Sequence, residues 1–265
     1  MLLTQVRKKV SVPLHYAIFN LISVTMNDTS NGLQLLTTNG FATISNIYTE
    51  DEITRISQVI HQADTSKSTF RKSADLFAIR QFLREIPEAV PLIFNKNLQD
   101  IISQLPGSYP FVVKSIYFDK PPGSNWYVSW HQDLTISADQ KTDIPGFGPW
   151  TVKMNQFAVQ PPVPYLENIT TIRIHLDQTT AENGALKVIP GSHLKRVYRP
   201  ETIDWTIEKE VTCEVPAGGV MLMKPLLLHS SSRTTNGQPR RVIHIELANM
   251  ELPTPLQWAE RLSIQ

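Results

Sequence analysis

ITTIRIHLD, residues 169–177, alternates aliphatic and polar side chains. Ile172, Ile174 and Leu176 fall on one side of an extended chain, with Thr171, Arg173, His175 and Asp177 on the other. PRRVIHIEL, residues 239–247, repeats the arrangement, placing Arg241, Ile243 and Ile245 opposite Arg240, Val242, His244 and Glu246. A period of two marks a half-buried strand. The aliphatic faces require a covering layer, and helices can supply it. The polar faces then look into a wet cavity or into solvent, and alternation by itself does not decide between them.

Outward from these two strands, further short extended segments read at 111–118 (FVVKSIYF), 154–160, 185–189, 211–215 and 219–223 (GVMLM), separated by Pro, Gly and Asn turns. Asn183-Gly184 is a hairpin signal. Upstream the period lengthens. Thr49 and Glu52 have capping-box spacing ahead of Ile53, Ile56, Val59 and Ile60, which predicts a helix over 50–62. A second helix is expected after Ser73, with Leu76, Ile79, Leu83 and Ile86 on one face and Pro87 at its end. A third carries Leu98, Ile101, Ile102 and Leu105 before Pro106-Gly107. Helices first and strands afterwards point to a mostly β fold, an antiparallel sandwich or barrel with N-terminal helices against one face.

Composition narrows the function classes. With 25 Lys+Arg against 24 Asp+Glu in 265 residues, the formal charge is +1, which argues against nucleic acid or an anionic membrane as partner. The single cysteine, Cys213, excludes an intramolecular disulfide and a thiolate metal cluster, so a metal would rest on His and carboxylate. Arg7, Lys8 and Lys9 precede an apolar stretch from Val10 to Met26 that is similar to the front of a signal peptide. Pro13, His15 and Asn20 interrupt it, no small-x-small cleavage site follows, and the stretch is short for a membrane span. Residues 1–38 are therefore expected to be a leader, mobile or outside the fold, with Met26 a candidate start. Residues 39–265 are expected to form one domain, in a cytoplasmic protein.

Chemistry enters at Trp130-His131-Gln132-Asp133. A His and an Asp two apart on an extended segment project to the same side, where both can reach one metal ion. His229 follows the apolar run Val220–Met223 and Pro225–Leu228, a strand able to deliver a third ligand. Two His and one carboxylate would make the facial triad of non-haem Fe(II) oxygenases, which leaves positions open for 2-oxoglutarate and O2. The far carboxylate of 2-oxoglutarate then requires a bidentate cation, a role suited to Arg more than to Lys. Arg240 and Arg241 stand on the strand after His229. Each piece also has a plainer structural reading, a hydrogen-bonding histidine or a solvated basic pair.

The order of the pieces is more specific than any one of them. HQD at 131–133, NGALKVIPGSH at 183–193, and His229 followed by Ser231, Asn236 and Arg240 resemble the phytanoyl-CoA dioxygenase family over roughly residues 39–248. The resemblance implies a double-stranded β-helix (jelly-roll, cupin-like) core with N-terminal helices. It implies Fe(II) on His131, Asp133 and His229. It also implies 2-oxoglutarate on Arg240, with Ser231, Gln132 and Ile116 as further cosubstrate contacts. Arg240 is preferred to Arg241 by spacing from His229 and because Arg241 shares the helix-packed face. The implied reaction is hydroxylation of a small molecule, coupled to conversion of 2-oxoglutarate and O2 to succinate and CO2. Retention of Asp133 favours hydroxylation over halogenation.

At Arg173 the family often carries Trp. An inward Arg needs an anion, so Arg173 is expected to meet a substrate carboxylate or phosphate or to share the binding of 2-oxoglutarate. Lys153 and His175 are further candidates for the substrate, which these charges suggest is small and anionic. His244 falls on the same inward face, His193 in a structural turn, Trp126 and Trp130 beside the HxD pair, and Cys213 in a core strand. His15 and His61 suggest no role. Two other classes remain, a cupin-like metal enzyme that does not use 2-oxoglutarate and a non-catalytic β-helix binding module.

Overall fold

In the computed structural model, residues 29–264 are described except 65, 67–68, 73–76, 108, 123–125 and 154–155. The leader reading for residues 1–28 lies outside them. The elements run α1 (Thr29–Asn39), β1 (Phe41–Ile44), α2 (Glu50–His61), β2 (Phe70–Lys72), β3 (Phe77–Arg80), α3 (Phe82–Glu85), α4 (Val90–Ile93), α5 (Lys96–Ile102), β4 (Phe111–Lys120), β5 (Val128–His131), β6 (Ile136–Ala138) and β7 (Trp150–Lys153). They continue through β8 (Gln156–Val159), α6 (Val163–Asn168), β9 (Thr170–His175), β10 (Leu186–Val188), β11 (Val211–Cys213), β12 (Val220–Met223), β13 (His229–Ser231), β14 (Arg240–Ala248) and β15 (Leu262–Ser263).

The strands make a mostly β fold of the jelly-roll, double-stranded β-helix class. The large sheet has the order β1-β12-β9-β14-β4-β3-β2, with β15 added to β4. A smaller sheet, β11-β10-β13-β5, carries the distal histidine strand, and β6-β8-β7 form a third sheet. β14 sits between β9 and β4, antiparallel to both, so the two alternating segments read from the sequence are direct neighbours. Their aliphatic faces do meet helices. Ile172, Ile174, Leu176, Ile243 and Ile245 share one buried cluster with Ile56 and Ile60 of α2 and Leu98, Ile101 and Ile102 of α5. Apolar area removed from water on this face is what fastens the helical layer to the sheet.

α2 begins as its sequence predicts. The Thr49 side chain accepts from the Glu52 N–H, and the Glu52 carboxylate accepts from the Thr49 N–H at 2.8 Å. α5 is capped by Asn95, which accepts from the Leu98 N–H at 2.9 Å. Three expectations are corrected. The helix expected after Ser73 is, over its described residues, strand β3 followed by the short α3. Phe77-Ala78-Ile79-Arg80 pairs with β4, and the turn into α3 happens to set Ile79, Leu83 and Ile86 at near-helical spacing. Asn183-Gly184 does not join paired strands, because β9 and β10 lie in different sheets. It ends a 3-10 turn, with Gly184 at φ 86° and a Cβ there only 2.6 Å from the Ser232 carbonyl oxygen. Finally, Asp177 does not continue the inward face of β9. The strand ends at His175, and Asp177 turns to the helical side to take Arg241.

The expected boundary at residue 39 falls at the end of α1. Leu36 of that helix is buried in the same cluster as α2 and α5, and the His193 ring holds the Thr37 carbonyl through Nε2 at 3.1 Å. No helix among the described residues is long and apolar enough to cross a membrane.

Candidate metal centre and anion site

His131 and Asp133 are brought together as their spacing predicts. Leading out of β5, residues 131 and 133 face one way and Gln132 the other. β5 pairs with β13 so that His131 and His229 are directly opposite. Asp133 is pinned by its own N–H to the Pro225 carbonyl at 2.9 Å. The Asp133 carboxylate lies 4.0 Å from His131 Nε2 and 3.7 Å from His229 Nε2. One ligand atom from each of the three residues falls within 4.8 Å of the others, a spacing that could hold a metal ion.

The imidazoles are set for that task. His131 Nδ1 lies 2.8 Å from the Ser129 carbonyl and His229 Nδ1 lies 2.9 Å from the Leu227 carbonyl. A carbonyl can only accept, so each Nδ1 carries the proton and each Nε2 keeps its lone pair. Burial pushes the His229 ring down to about 4, against the opposing pull of Asp133, so it is neutral at neutral pH. Burial would raise the Asp133 carboxyl, but His229, Lys114, His244 and His131 outweigh it and hold the group well below the usual carboxylate range. The donor set is thus two imidazoles and a carboxylate, the composition that suits Fe(II) with positions left open.

The three residues line a cavity of about 490 Å³ between the two sheets. Ile116, Phe118, Trp126, Val128 and Leu134 form its apolar part, and Arg80, Arg173 and Arg240 its cationic part. The inward polar face of β9 and β14 therefore looks into a cavity. Arg240 is 5% exposed, and its Nε and Nη1 have no hydrogen-bond partner. Burial and the nearby Arg173 push it down to about 9, which leaves it charged at neutral pH. A buried guanidinium with two idle donors is a fit for a carboxylate. Arg241, by contrast, is fully occupied outside: its Nε and Nη2 hold both oxygens of Asp177 at 2.9 and 2.7 Å.

Ser231 and Ile116 line the cavity beside Arg240, Ser231 donating its hydroxyl to the Gly184 carbonyl at 3.0 Å. Gln132 lines the cavity too, and its side chain is tied to the backbone around it. Its amide nitrogen donates to the carbonyls of Arg196, at 2.8 Å, and Leu226, and its oxygen accepts from the Tyr198 N–H at 2.8 Å. With those groups engaged, the side chain fastens the 196–198 loop to the segment before His229 and has no donor left for a cosubstrate. His175 is buried outside the cavity lining, with Nδ1 bonded to Thr179 Oγ1 at 2.7 Å. Lys153 closes β7 opposite Gln156, and its side chain lies outside what is described. Trp126 walls the cavity against Phe118, whereas Trp130 packs on Trp205. Cys213 is buried in the core.

Two further residues escaped the sequence reading, Arg80 of the cavity lining and Lys114, which pairs with Glu246. Arg80 lies in the strand misread as helix. Lys114 alternates with Ile116, Phe118 and Lys120 in β4, a signal the segment does carry, and it reaches Glu246 at 2.7 Å.

The sequence model of the phytanoyl-CoA dioxygenase family matches residues 36–242. The chain is 26% identical over 170 residues to phytanoyl-CoA dioxygenase 1 of Oryza sativa subsp. japonica, covering 60% of this chain and 52% of that protein. It thus spans about half the length of that relative. Its fold is similar to that of the carbocyclase SnoK from nogalamycin biosynthesis, with a TM-score of 0.64, 17% identity and coverage of 90% of this chain and 89% of the other. It is also similar to EvdO2 from Micromonospora carbonacea var. aurantiaca complexed with 2-oxoglutarate, with a TM-score of 0.58, 18% identity and coverage of 85% and 94%. A family match across most of the chain, over a β-helix that gathers His131, Asp133 and His229 above a buried arginine, makes the chain a member of the phytanoyl-CoA dioxygenase family.

Proposed function

We propose that the chain is an Fe(II)- and 2-oxoglutarate-dependent dioxygenase that hydroxylates a small anionic molecule and releases succinate and CO2. The observation that carries this reading is Arg240, a buried guanidinium with unpartnered Nε and Nη1 in the same cavity as His131, Asp133 and His229. A metal enzyme with no use for a dicarboxylic cosubstrate has no need of that charge there, and leaving it unpaired in the interior is costly. The family membership and the likeness to a fold solved with 2-oxoglutarate support the same reading.

His131, Asp133 and His229 would hold Fe(II), and Arg240 would clamp the distal carboxylate of 2-oxoglutarate, with Ser231 and Ile116 beside it. The bound metal, with 2-oxoglutarate and O2, supplies the oxidising power for hydroxylation. The protein's own part is orientation and exclusion of water. Ser129 and Leu227 keep both Nε2 lone pairs facing inward. Ile116, Phe118, Trp126, Val128 and Leu134 keep the reacting region dry and receive the apolar part of a substrate, while Arg80 can meet its anionic group. A volume of about 490 Å³ is within the roughly 300–1,000 Å³ usual for small-molecule sites.

The test is anaerobic addition of Fe(II) and 2-oxoglutarate to the purified protein, watched for the visible charge-transfer band of the chelate. Wild type should develop the band, and Asp133→Ala and Arg240→Ala should not. A wild-type protein without it would overturn the reading. Succinate release above the uncoupled background, across carboxylate, amino-acid and phosphonate candidates, then identifies the substrate.

A further inference from the structure

Four inward side chains on β9, β14 and β4 are bonded in series. Arg173 is the Cα partner of His244, and Glu246 is the Cα partner of Lys114. Lys114 Nζ donates to Glu246 Oε1 at 2.7 Å, and His244 Nε2 lies 3.1 Å from the same oxygen. Arg173 Nη1 lies 3.2 Å from His244 Nδ1. Because a guanidinium only donates, His244 must accept at Nδ1 and carry its proton on Nε2, where Glu246 takes it. Each position in the series is thereby fixed, and Arg173 cannot swing without losing its acceptor.

The series orients Arg173 and leaves its charge unanswered. Glu246 is matched by Lys114, and the partner of Arg173 is a neutral ring. Arg173 is 8% exposed, and its Nε has no hydrogen-bond partner. Arg240 stands in the same position, with idle Nε and Nη1 in the same cavity. Two buried like charges that face one space are costly unless an anion comes between them. Asp133, the carboxylate among the cavity-lining residues, is committed to the ligand set.

We infer that Arg173 and Arg240 together form a receptor for one carboxylate, the distal carboxylate of the keto acid, and that His244, Glu246 and Lys114 are positioning residues that hold Arg173 in it. This rests on the assignment of Arg240 to the cosubstrate made above. The test is titration of the anaerobic Fe(II) protein with 2-oxoglutarate, followed by the charge-transfer band. A parallel titration uses 2-oxopentanoate, which has the same carbon count and ends in a methyl group. Arg173→Gln should raise the 2-oxoglutarate concentration for half-saturation about ten- to a hundredfold, the scale of a lost charge-assisted hydrogen bond, and leave 2-oxopentanoate nearly unchanged. Arg173→Lys keeps the charge without the fork and should fall between. His244→Leu removes only the acceptor and should weaken 2-oxoglutarate several-fold.

If Arg173→Gln binds 2-oxoglutarate as wild type does while Arg240→Gln loses it, the shared receptor is wrong and the cosubstrate assignment stands. If Arg240→Gln also binds as wild type does, the assignment itself falls and the receptor with it. Equal weakening of both keto acids by Arg173→Gln would make Arg173 a structural residue and overturn the inference. Should Arg173→Gln fail to fold, wild-type 2-oxoglutarate binding by both Arg173→Lys and His244→Leu would overturn it as well.

Discussion

His131 and His229 face each other as Cα partners across β5 and β13, with ring centroids 4.1 Å apart, and each reaches the carbonyl two residues before it through Nδ1. Two strands thus impose one tautomer twice, so the ligand set exists before a metal arrives. His229→Ala or Asp133→Ala should lower Fe(II) affinity by more than the roughly 10–100-fold that loss of an outer-sphere partner costs, measured by metal analysis after dialysis. Retention of stoichiometric Fe(II) by Asp133→Ala would remove the carboxylate from the ligand set.

Adjacent arginines give opposite outcomes. Arg241 holds Asp177 through two hydrogen bonds at the edge of the helical layer, and Arg240 has idle donors in the cavity. Arg241→Ala should cost about 1–3 kcal/mol of stability, the range for a partly buried bidentate pair, and should leave the 2-oxoglutarate titration where it was. Arg240→Ala should do the reverse. Denaturant unfolding and the chelate titration, run on both variants, read the two effects separately, and loss of chelate in Arg241→Ala alone would exchange their roles.

Local pattern explains how much of this was legible. The alternation in 169–177 and 239–247 separated the helix-packed face from the cavity face because a strand's period is independent of where the strand lies. The HxD pair was legible for the same reason. Gln132 was not, because its partners, Arg196, Tyr198 and Leu226, are distant in sequence and meet it only through the fold. β3 was misread because its pairing with β4, rather than its own period, makes it a strand. Asp177 continued the pattern on paper, and the bend after His175 turned it away from the cavity.

Gln132 offers a direct test of that distinction. Its amide satisfies two carbonyls and one N–H in a largely buried position. Gln132→Ala would strand them and should cost about 2–3 kcal/mol, since an unmade buried hydrogen bond carries the desolvation penalty of the group left behind. A direct contact with the distal carboxylate would also make the variant lose its preference for 2-oxoglutarate over 2-oxopentanoate. The preference should persist, and its collapse would return Gln132 to the cosubstrate.

His175 should make the metal-free protein acid-sensitive. Burial first, then Arg173 and Arg240, hold its ring well below the ordinary value of 6.5. In the unfolded chain the ring protonates as pH falls through that value, while the folded protein resists. The unfolded state therefore binds more protons below pH 6.5, so the contribution of His175 is complete above that value and declines as pH drops. Replacing His175 with Gln removes one such proton. Across melting curves from neutral pH to about pH 5, Tm of wild type should fall more steeply than Tm of His175→Gln, whatever the variant's offset at neutral pH. His229 and His244 are also held below their ordinary values and stay in both proteins, so the difference in slope isolates His175. Parallel curves would mean that His175 is protonated equally in both states, which its burial beside two guanidiniums does not allow.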